Sequence, residues 1–577
     1  MGFNKINKKE STNNNEFKVE TVKDIIMNRL DLYGKKTAIM DKDLETDKFI
    51  NYSYSTLKED TLALGTAFNE ILNLEDEKVA VLGDNSYKWL ITYLSVVSGV
   101  GVIVPLDREL PSNEVLGLIK RSKVKAIVYS NKKKEIIDEI RNKVDKNIKF
   151  INMDKYKHDE IEYSLNELVI EGKKLIKEGN TSYIDKKIDK DKFAILLFTS
   201  GTTANSKGVM LSNYNVTSNA VTVNKIYSQI TSTVAISFLP MHHSYEMTMT
   251  YITGLYGGAT IGISRGIRYL LKDFEIIKPQ TFCMVPLILE NLKKKIEKSI
   301  RMQNKEKTVQ IAKSVTDVLK LVNVDIKRDV FKTIHNTFGG RLKYLVIAGA
   351  PADKETIDKM QGYGFTVIEG YGLTETSPLV CGNREGKNRP GTVGIAIDDV
   401  KVRIDLKADE KENTGEIIVK GPNVMLGYYE DEEETKKVLK KGWFYTGDIG
   451  YFDNKGSLVI SGRSKNVIVT SNGKNIYPEE IESLINRIPL VNECIVYGDG
   501  DNRDLEVKVK IALDEEYIKE KYGDDIPSND ELYKSLWSSI KKINSKLVHY
   551  KAVKDITIVT EGFEKTTTMK IKRNKVK

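Results

Sequence analysis

Short apolar runs of strand length recur along this chain, at residues 78–82, 101–104, 126–129, 194–198, 281–285 and 344–347. Amphipathic stretches of helical length separate them. That alternation predicts an α/β chain with largely parallel sheets. At 577 residues the chain is too long for a single core, so two or more domains are expected. The most apolar window, Leu90 to Leu106, contains Thr92, Ser95, Ser98, Gly99 and Gly101 and stops at Pro105. It predicts a buried helix leading into a strand, and no membrane span.

Residues 1–18 are polar and asparagine-rich at their start, which predicts a flexible tail with no basic-then-apolar leader. A large unit is expected over 19–463. Within it, the lysine-rich stretch from Leu287 to His335 has apolar residues at three- and four-residue spacing and predicts a helical excursion on the surface. Past Val393 the texture changes to short strands and glycine turns, so a small β-rich subdomain is placed at about 393–462. From Ser464 a further unit of roughly 110 residues is long enough for a small α/β domain, here 464–577.

One apolar run, Phe193 to Phe198, delivers the backbone into Thr199-Ser200-Gly201-Thr202-Thr203-Ala204-Asn205-Ser206-Lys207-Gly208. Small residues let backbone N–H groups approach phosphate oxygens, hydroxyls add donors, and lysine adds charge. The spacing is not that of the usual nucleotide P-loop. Taken alone, such a segment is more often a solvated turn.

Four further segments follow in order. They are Glu369-Gly370-Tyr371-Gly372-Leu373-Thr374-Glu375-Thr376, Tyr445-Thr446-Gly447-Asp448, Ser461-Gly462-Arg463-Ser464-Lys465, and Lys565-Thr566-Thr567-Thr568-Met569-Lys570-Ile571-Lys572-Arg573. With the first loop they resemble the adenylate-forming superfamily of acyl-CoA synthetases, carrier-protein-loading adenylation domains and beetle luciferases, from about Val19 to the C-terminus. The longer helical excursion is similar to that of long-chain fatty acyl-CoA synthetases. The resemblance implies a large N-terminal domain of parallel α/β sheets with a β-rich subdomain, and a small mobile α/β C-terminal domain.

It also implies roles. Thr199, Ser200, Gly201, Thr202, Thr203 and Lys207 would hold the β- and γ-phosphates of ATP. Glu375, with Thr199, would ligate Mg2+, a hard cation that takes oxygen ligands from carboxylate, phosphate and water. Thr374 would contact the α-phosphate. Tyr371 and Gly372 would face adenine across from Gly349-Ala350-Pro351. Asp448 would accept bonds from the ribose hydroxyls, a task suited to an acceptor-only carboxylate, with Arg463 beside it. Lys570 would bridge the attacking carboxylate and the α-phosphate. His243, in Leu239-Pro240-Met241-His242-His243-Ser244-Tyr245-Glu246, would position the acyl carboxylate. Lys465 would be the hinge of the C-terminal domain, and Gly473 would line the path of the pantetheine arm of CoA. Three positions depart from the family pattern. Ala204 and Met569 stand where glycine is usual, and Ser206 where proline is usual.

Composition adds exclusions. The formal charge of +9 comes from 90 basic and 81 acidic residues spread without a basic arm or aromatic-interleaved patch, so no nucleic-acid partner is expected. Cys283, Cys381 and Cys494 have no paired spacing and fit a cytoplasmic protein without disulfides or a zinc site. The expected activity is ATP-dependent conversion of a fatty acid to acyl-AMP and then, with CoA, to acyl-CoA. One rival is a ligase that loads a carrier protein supplied in trans, and another is a catalytically weak acyl- or nucleotide-binding protein. No transmembrane segment is expected, and peripheral membrane contact is left open.

Overall fold

The computed structural model describes residues 18–577 apart from 44–45, 47, 200–205, 322–323, 407–412, 471–473, 501–504, 524, 567–570 and 574–577. Ser200, Gly201, Thr202, Thr203, Ala204, Gly473, Met569 and Lys570 therefore lie outside the described residues.

Two large sheets form the first part of the chain. In the nine-stranded sheet six strands run parallel, from Thr366–Gly372 through Tyr344–Ile347, Thr281–Met284, Val234–Ser237 and Thr260–Ile263 to Thr37–Lys42. Antiparallel strands close both of its edges. In the eight-stranded sheet the parallel set runs from Phe193–Phe198 through Val102–Pro105, Lys78–Leu82 and Ala126–Tyr129 to Lys149–Asn152 and Tyr163–Ser164. Gly208–Ser212 and Gly427–Tyr428 continue it in antiparallel sense. Parallel strands are covered on both faces by their crossover helices, which is why these runs are apolar throughout. Antiparallel strands sit at the edges because tight returns need no crossover.

The apolar window of residues 90–106 forms a helix over Tyr87–Ser95, a wider helical turn over Val96–Val100, and the buried strand Val102–Pro105. The helix Tyr54–Glu70 crosses Leu165–Lys177 at close range. A Cβ on Gly172 would lie 1.9 Å from the Ala63 carbonyl oxygen, so only glycine fits at that crossing.

A five-stranded antiparallel sheet follows, built on Lys401–Asp405, Gly415–Lys420, Trp443–Phe452 and Leu458–Arg463. The last unit has its own apolar core, from Ile468 to Ile556. It is built on three strands, Val491–Asp499, Glu506–Leu513 and Val553–Val559, with the helices Pro478–Ile485 and Asn529–Asn544.

The lysine-rich stretch folds as the helices Pro286–Met302 and Glu306–Leu321 with shorter turns after them. It is anchored more deeply than a surface excursion, because Ile288, Leu289, Leu292 and Ile296 enter the core under the nine-stranded sheet. Its outer face meets the last unit. Lys294 pairs with Asp514 at 2.6 Å and Arg301 with Glu520 at 3.1 Å, and Lys298 pairs with Glu516. Arg487 reaches back to Asp353 at 2.8 Å.

Gly172→Ala is expected to destabilise the protein by about 1–3 kcal/mol, the usual cost of overpacking a filled contact. Denaturant unfolding followed by the fluorescence of Trp89, buried in the same core, measures it. An unchanged midpoint would show that the two helices separate without cost.

Candidate active site

Among the described residues, Tyr371, Asp448 and Arg463 form one contact cluster, and Glu375 and Lys207 meet at Tyr428. Tyr371 lies near the end of the strand Thr366–Gly372, and its hydroxyl donates to Asp448 Oδ2 at 2.8 Å. Arg463 Nε approaches Asp448 Oδ1 at 2.8 Å. The register explains this meeting, since Asp448 on Trp443–Phe452 is the direct partner of Arg463 on Leu458–Arg463. The Asp448 carboxylate is buried, and burying a charge requires such donors. Burial and the Asp448 charge together hold the Tyr371 hydroxyl protonated, well above the ordinary tyrosine range. A carboxylate has about four acceptor positions, so Asp448 can accept from both residues at once.

Thr374 and Glu375 form the turn Thr374–Thr376 directly after this strand. Gly372 is obligatory at its entrance, because a Cβ there would lie 1.9 Å from the Pro378 carbonyl oxygen. The turn is clamped from outside by Asn423, whose side-chain amide donates to the carbonyls of Thr376 and Leu379 at 3.0 Å each. Glu375 Oε1 accepts a bond from the Tyr428 hydroxyl at 3.0 Å.

Tyr428 also carries the Lys207 ammonium above its ring, 4.6 Å from the centroid, and Lys207 pairs with Glu434 at 2.6 Å. Lys207 and Lys437 pull the Glu434 carboxyl down to about 2. The loop from Thr199 to Lys207 is tied at its base. The Thr199 N–H donates to the Lys207 carbonyl at 2.9 Å, and the Ser206 hydroxyl to the Thr199 carbonyl at 2.8 Å. Ser206, one of the three departures from the family pattern, thus has a local role in closing the loop.

His243 caps the start of a helical segment, where its carbonyl accepts from Met247 N at 3.0 Å. Its ring stacks obliquely on His242, 4.1 Å between centroids. Burial pushes the His242 imidazole down to about 3. The ring is therefore neutral, and its 3.7 Å approach to Asp107 is no ion pair. Gly349, Ala350 and Pro351 are exposed beyond the strand Tyr344–Ile347. Lys465 is exposed in the turn Ser464–Asn466. The segment bearing Lys570 is bracketed by described residues. Lys565 and Ile571 pair antiparallel, Lys565 pairs with Glu493 at 2.6 Å, and Arg573 pairs with Glu482.

Beside this cluster lies an apolar cavity of about 720 Å³, counting its opening to solvent. Val223, Tyr227, Met249, Cys283, Val346 and Leu379 are among its lining residues, which join the nine-stranded sheet to the helices packed on it.

Two acids here escaped sequence reasoning. Glu369 is on the cavity wall with Oε2 unpartnered among the described residues, and burial raises its carboxyl to about 8. Glu246 is fully buried and accepts from Thr250 Oγ1 at 3.1 Å, and burial raises it to about 8 as well. A signal was present for Glu369, a lone charge inside the apolar strand before Gly370-Tyr371-Gly372. Tyr428 and Glu434, which hold Lys207, gave no signal, since only the tertiary fold brings them to it.

A magnesium ion held by a nucleotide needs one or two protein oxygens and not a full cage. Glu375 and Thr199 are hard oxygen donors of that kind, and among the described residues no three metal-ligating side chains converge.

The raised carboxyls have a consequence for stability. Each folded-state pKa, about 8, lies above the ordinary 4.5. Their stabilising contribution is then complete below about pH 4.5 and is lost as pH rises through about 8. The double variant Glu246→Gln, Glu369→Gln mimics the neutral forms, so its melting temperature should fall less than that of the parent between about pH 5 and pH 9. Parallel melting curves for the two proteins would show that neither acid stays protonated.

Comparison with known proteins shows the family and the fold. A family model described as AMP-binding enzyme matches residues 28–429, and one described as AMP-binding enzyme C-terminal domain matches residues 465–577. The chain is 29% identical over 440 residues to the peroxisomal long chain acyl-CoA synthetase 7 of Arabidopsis thaliana, covering 71% of this chain and 63% of that protein. It is 27% identical to a chloroplastic long-chain-fatty-acid–[acyl-carrier-protein] ligase of Arabidopsis thaliana, covering 96% of this chain and 85% of that one. The crystal structure of the anthranilate CoA ligase AuaEII in complex with anthranoyl-AMP superposes with a TM-score of 0.77 at 19% identity, covering 96% of each chain. Both halves of the fold and most of its length match, and the chain belongs to the AMP-binding enzyme family.

Proposed function

We propose that this protein activates a fatty acid with ATP, releasing pyrophosphate, and transfers the acyl group from acyl-AMP to the thiol of CoA. One observation carries the reading. The strand Thr366–Gly372 forms part of the apolar cavity wall through Ile368, Glu369 and Gly370, then presents Tyr371, bonded to Asp448, and leads into Thr374 and Glu375. An apolar chamber and a polar platform thus share one rigid element. That is the arrangement needed to hold an acyl chain with its carboxylate beside a nucleotide. A long chain is favoured by the apolar lining and by the relatives named long-chain synthetases.

In this reading the acyl carboxylate attacks the α-phosphorus, the bond to the β-phosphate oxygen breaks, and pyrophosphate leaves. The CoA thiolate then attacks the acyl carbon and AMP leaves. Asp448 orients the ribose, Thr374 donates to the α-phosphate, and Lys207 exchanges its contact with Glu434 for the phosphates. Lys570 neutralises the charge between carboxylate and α-phosphate, and electrostatic stabilisation of this kind supplies much of the catalysis in charged transition states. Magnesium, held by Glu375 with Thr199, would screen the triphosphate. Lys465 serves as the hinge that lets the last unit turn, with Gly473 then lining the thiol path. The buried cysteines, which form no disulfide among the described residues, favour a cytoplasmic protein.

Transfer to a carrier-protein phosphopantetheine thiol is the second reading, favoured by the carrier-protein ligase that the chain matches along 96% of its length.

The test is product analysis by mass spectrometry after incubation with ATP, magnesium, a mixed panel of carboxylic acids, and either CoA or a phosphopantetheinylated carrier protein. Acyl-CoA from a subset of aliphatic acids is expected. Acyl-carrier product alone would select the second reading, and no acyl-AMP, acyl-CoA or acyl-carrier product from any acid would refute the activity. Asp448→Ala is expected to raise KM for ATP at least about tenfold, the cost of a lost charged hydrogen bond. Lys570→Ala should abolish acyl-AMP formation while thioester formation from supplied acyl-AMP survives. Unchanged overall turnover in that variant would contradict the mechanism.

A further inference from the structure

The helix Glu306–Leu321 is apolar on two sides. Its inner side is accounted for, since Val309 and Ala312 pack on the core beneath the nine-stranded sheet and Thr316 is buried. Ile311, Val315 and Val318 lie on the opposite side at 65%, 52% and 64% exposure. Their spacing of four and three residues makes a single stripe about 10 Å long. Lys307, also exposed, begins that stripe one turn before Ile311. At the tip of the hairpin Met302 is 77% exposed, with Lys305 exposed beside it. An ordinary amphipathic helix places polar residues on its outer side, and folding does not require these aliphatic ones.

Charge favours one kind of occupant. Residues 286–332 hold 12 basic and 6 acidic residues, so this one hairpin and the turns after it carry +6 of the chain's +9. Lys294, Lys298 and Arg301 are engaged by the last unit, while Lys305 and Lys307 remain at the tip and along the stripe. Protein interfaces favour aromatic residues and arginine at their centres, and the helix Glu306–Leu321 contains neither. Three aliphatic side chains on a single helix also fall far below the area that a stable dimer buries on each partner. A short aliphatic stripe flanked by lysine is the pattern of an interfacial helix, whose apolar side enters the acyl boundary while lysine reaches the headgroups. Neither signal suffices alone, and together they give reversible attachment.

We propose that the hairpin of Pro286–Met302 and Glu306–Leu321 is a docking element for anionic lipid surfaces, with Ile311, Val315 and Val318 inserting and Lys305 and Lys307 contacting phosphate headgroups. This attachment is reversible and peripheral, and no described helix is long and apolar enough to cross a membrane. The proposal is independent of the reaction assigned above.

The test is co-flotation of the full-length protein with vesicles of phosphatidylcholine alone or mixed with phosphatidylglycerol. Binding to the anionic vesicles that weakens with added salt is expected. The triple variant Ile311→Ser, Val315→Ser, Val318→Ser should lower the partition coefficient at least about tenfold, and Lys305→Glu, Lys307→Glu should lower it on anionic vesicles only. Both variants change exposed side chains, and an unaltered melting temperature verifies their folding. A parent protein that stays in solution with anionic vesicles, or a triple variant that floats equally well, would overturn the proposal. A parent that does not float but is dimeric by light scattering, with the triple variant monomeric, would assign the stripe to a second copy of the chain and equally overturn it.

Discussion

A carboxylate buried at the junction of two sheets has to be answered by donors, and much of this structure is arranged around that requirement at Asp448. Tyr371 answers it from the nine-stranded sheet and Arg463 from the five-stranded one. The Tyr371 bond links the β-rich unit to the larger domain, beside the apolar core that the two share. The body of the Tyr371 ring is buried. In the proposed reaction the same few atoms that join the sheets would also meet the nucleotide.

The cavity beside the junction shows the opposite chemistry. Its lining is aliphatic and aromatic, and Glu369 is held there as a neutral carboxyl with one oxygen unpartnered among the described residues. Glu246, nearby in sequence to His243, is neutral for the same reason. Low-dielectric surroundings disfavour the charged form of both. The strand Thr366–Gly372 thus borders both the apolar cavity and the polar cluster at Asp448 within a few residues.

Much of the fold was legible in sequence. The strands at residues 78–82, 126–129 and 344–347 appear with the predicted ends, since a short run of apolar residues between helical stretches has few other ways to be buried. The run predicted at 101–104 begins instead at Val102, because Gly101 sits against the Glu77 backbone, where a Cβ would lie 2.1 Å from a carbonyl oxygen. The stretch from Leu287 to His335 was legible as helix but not as a two-sided one. Periodicity reports that apolar residues share a face, and two offset stripes on a single helix blur into one signal. Lys207 was legible as a cation at a loop, whereas its partner Glu434 and the ring of Tyr428 beneath it lie more than two hundred residues away.

The sequence by itself determined the alternation of strands and helices, the five ordered segments and the residue types available for chemistry, because these depend on local pattern and covalent identity. Only the tertiary structure decided that Asp448 faces Arg463 in register, that Tyr371 spans two sheets, that Ser206 ties its loop shut, and that Glu246 and Glu369 stay protonated. Each of those outcomes depends on how chain segments meet in space, and no local pattern encodes the dielectric surroundings that a side chain meets once the sheets have packed.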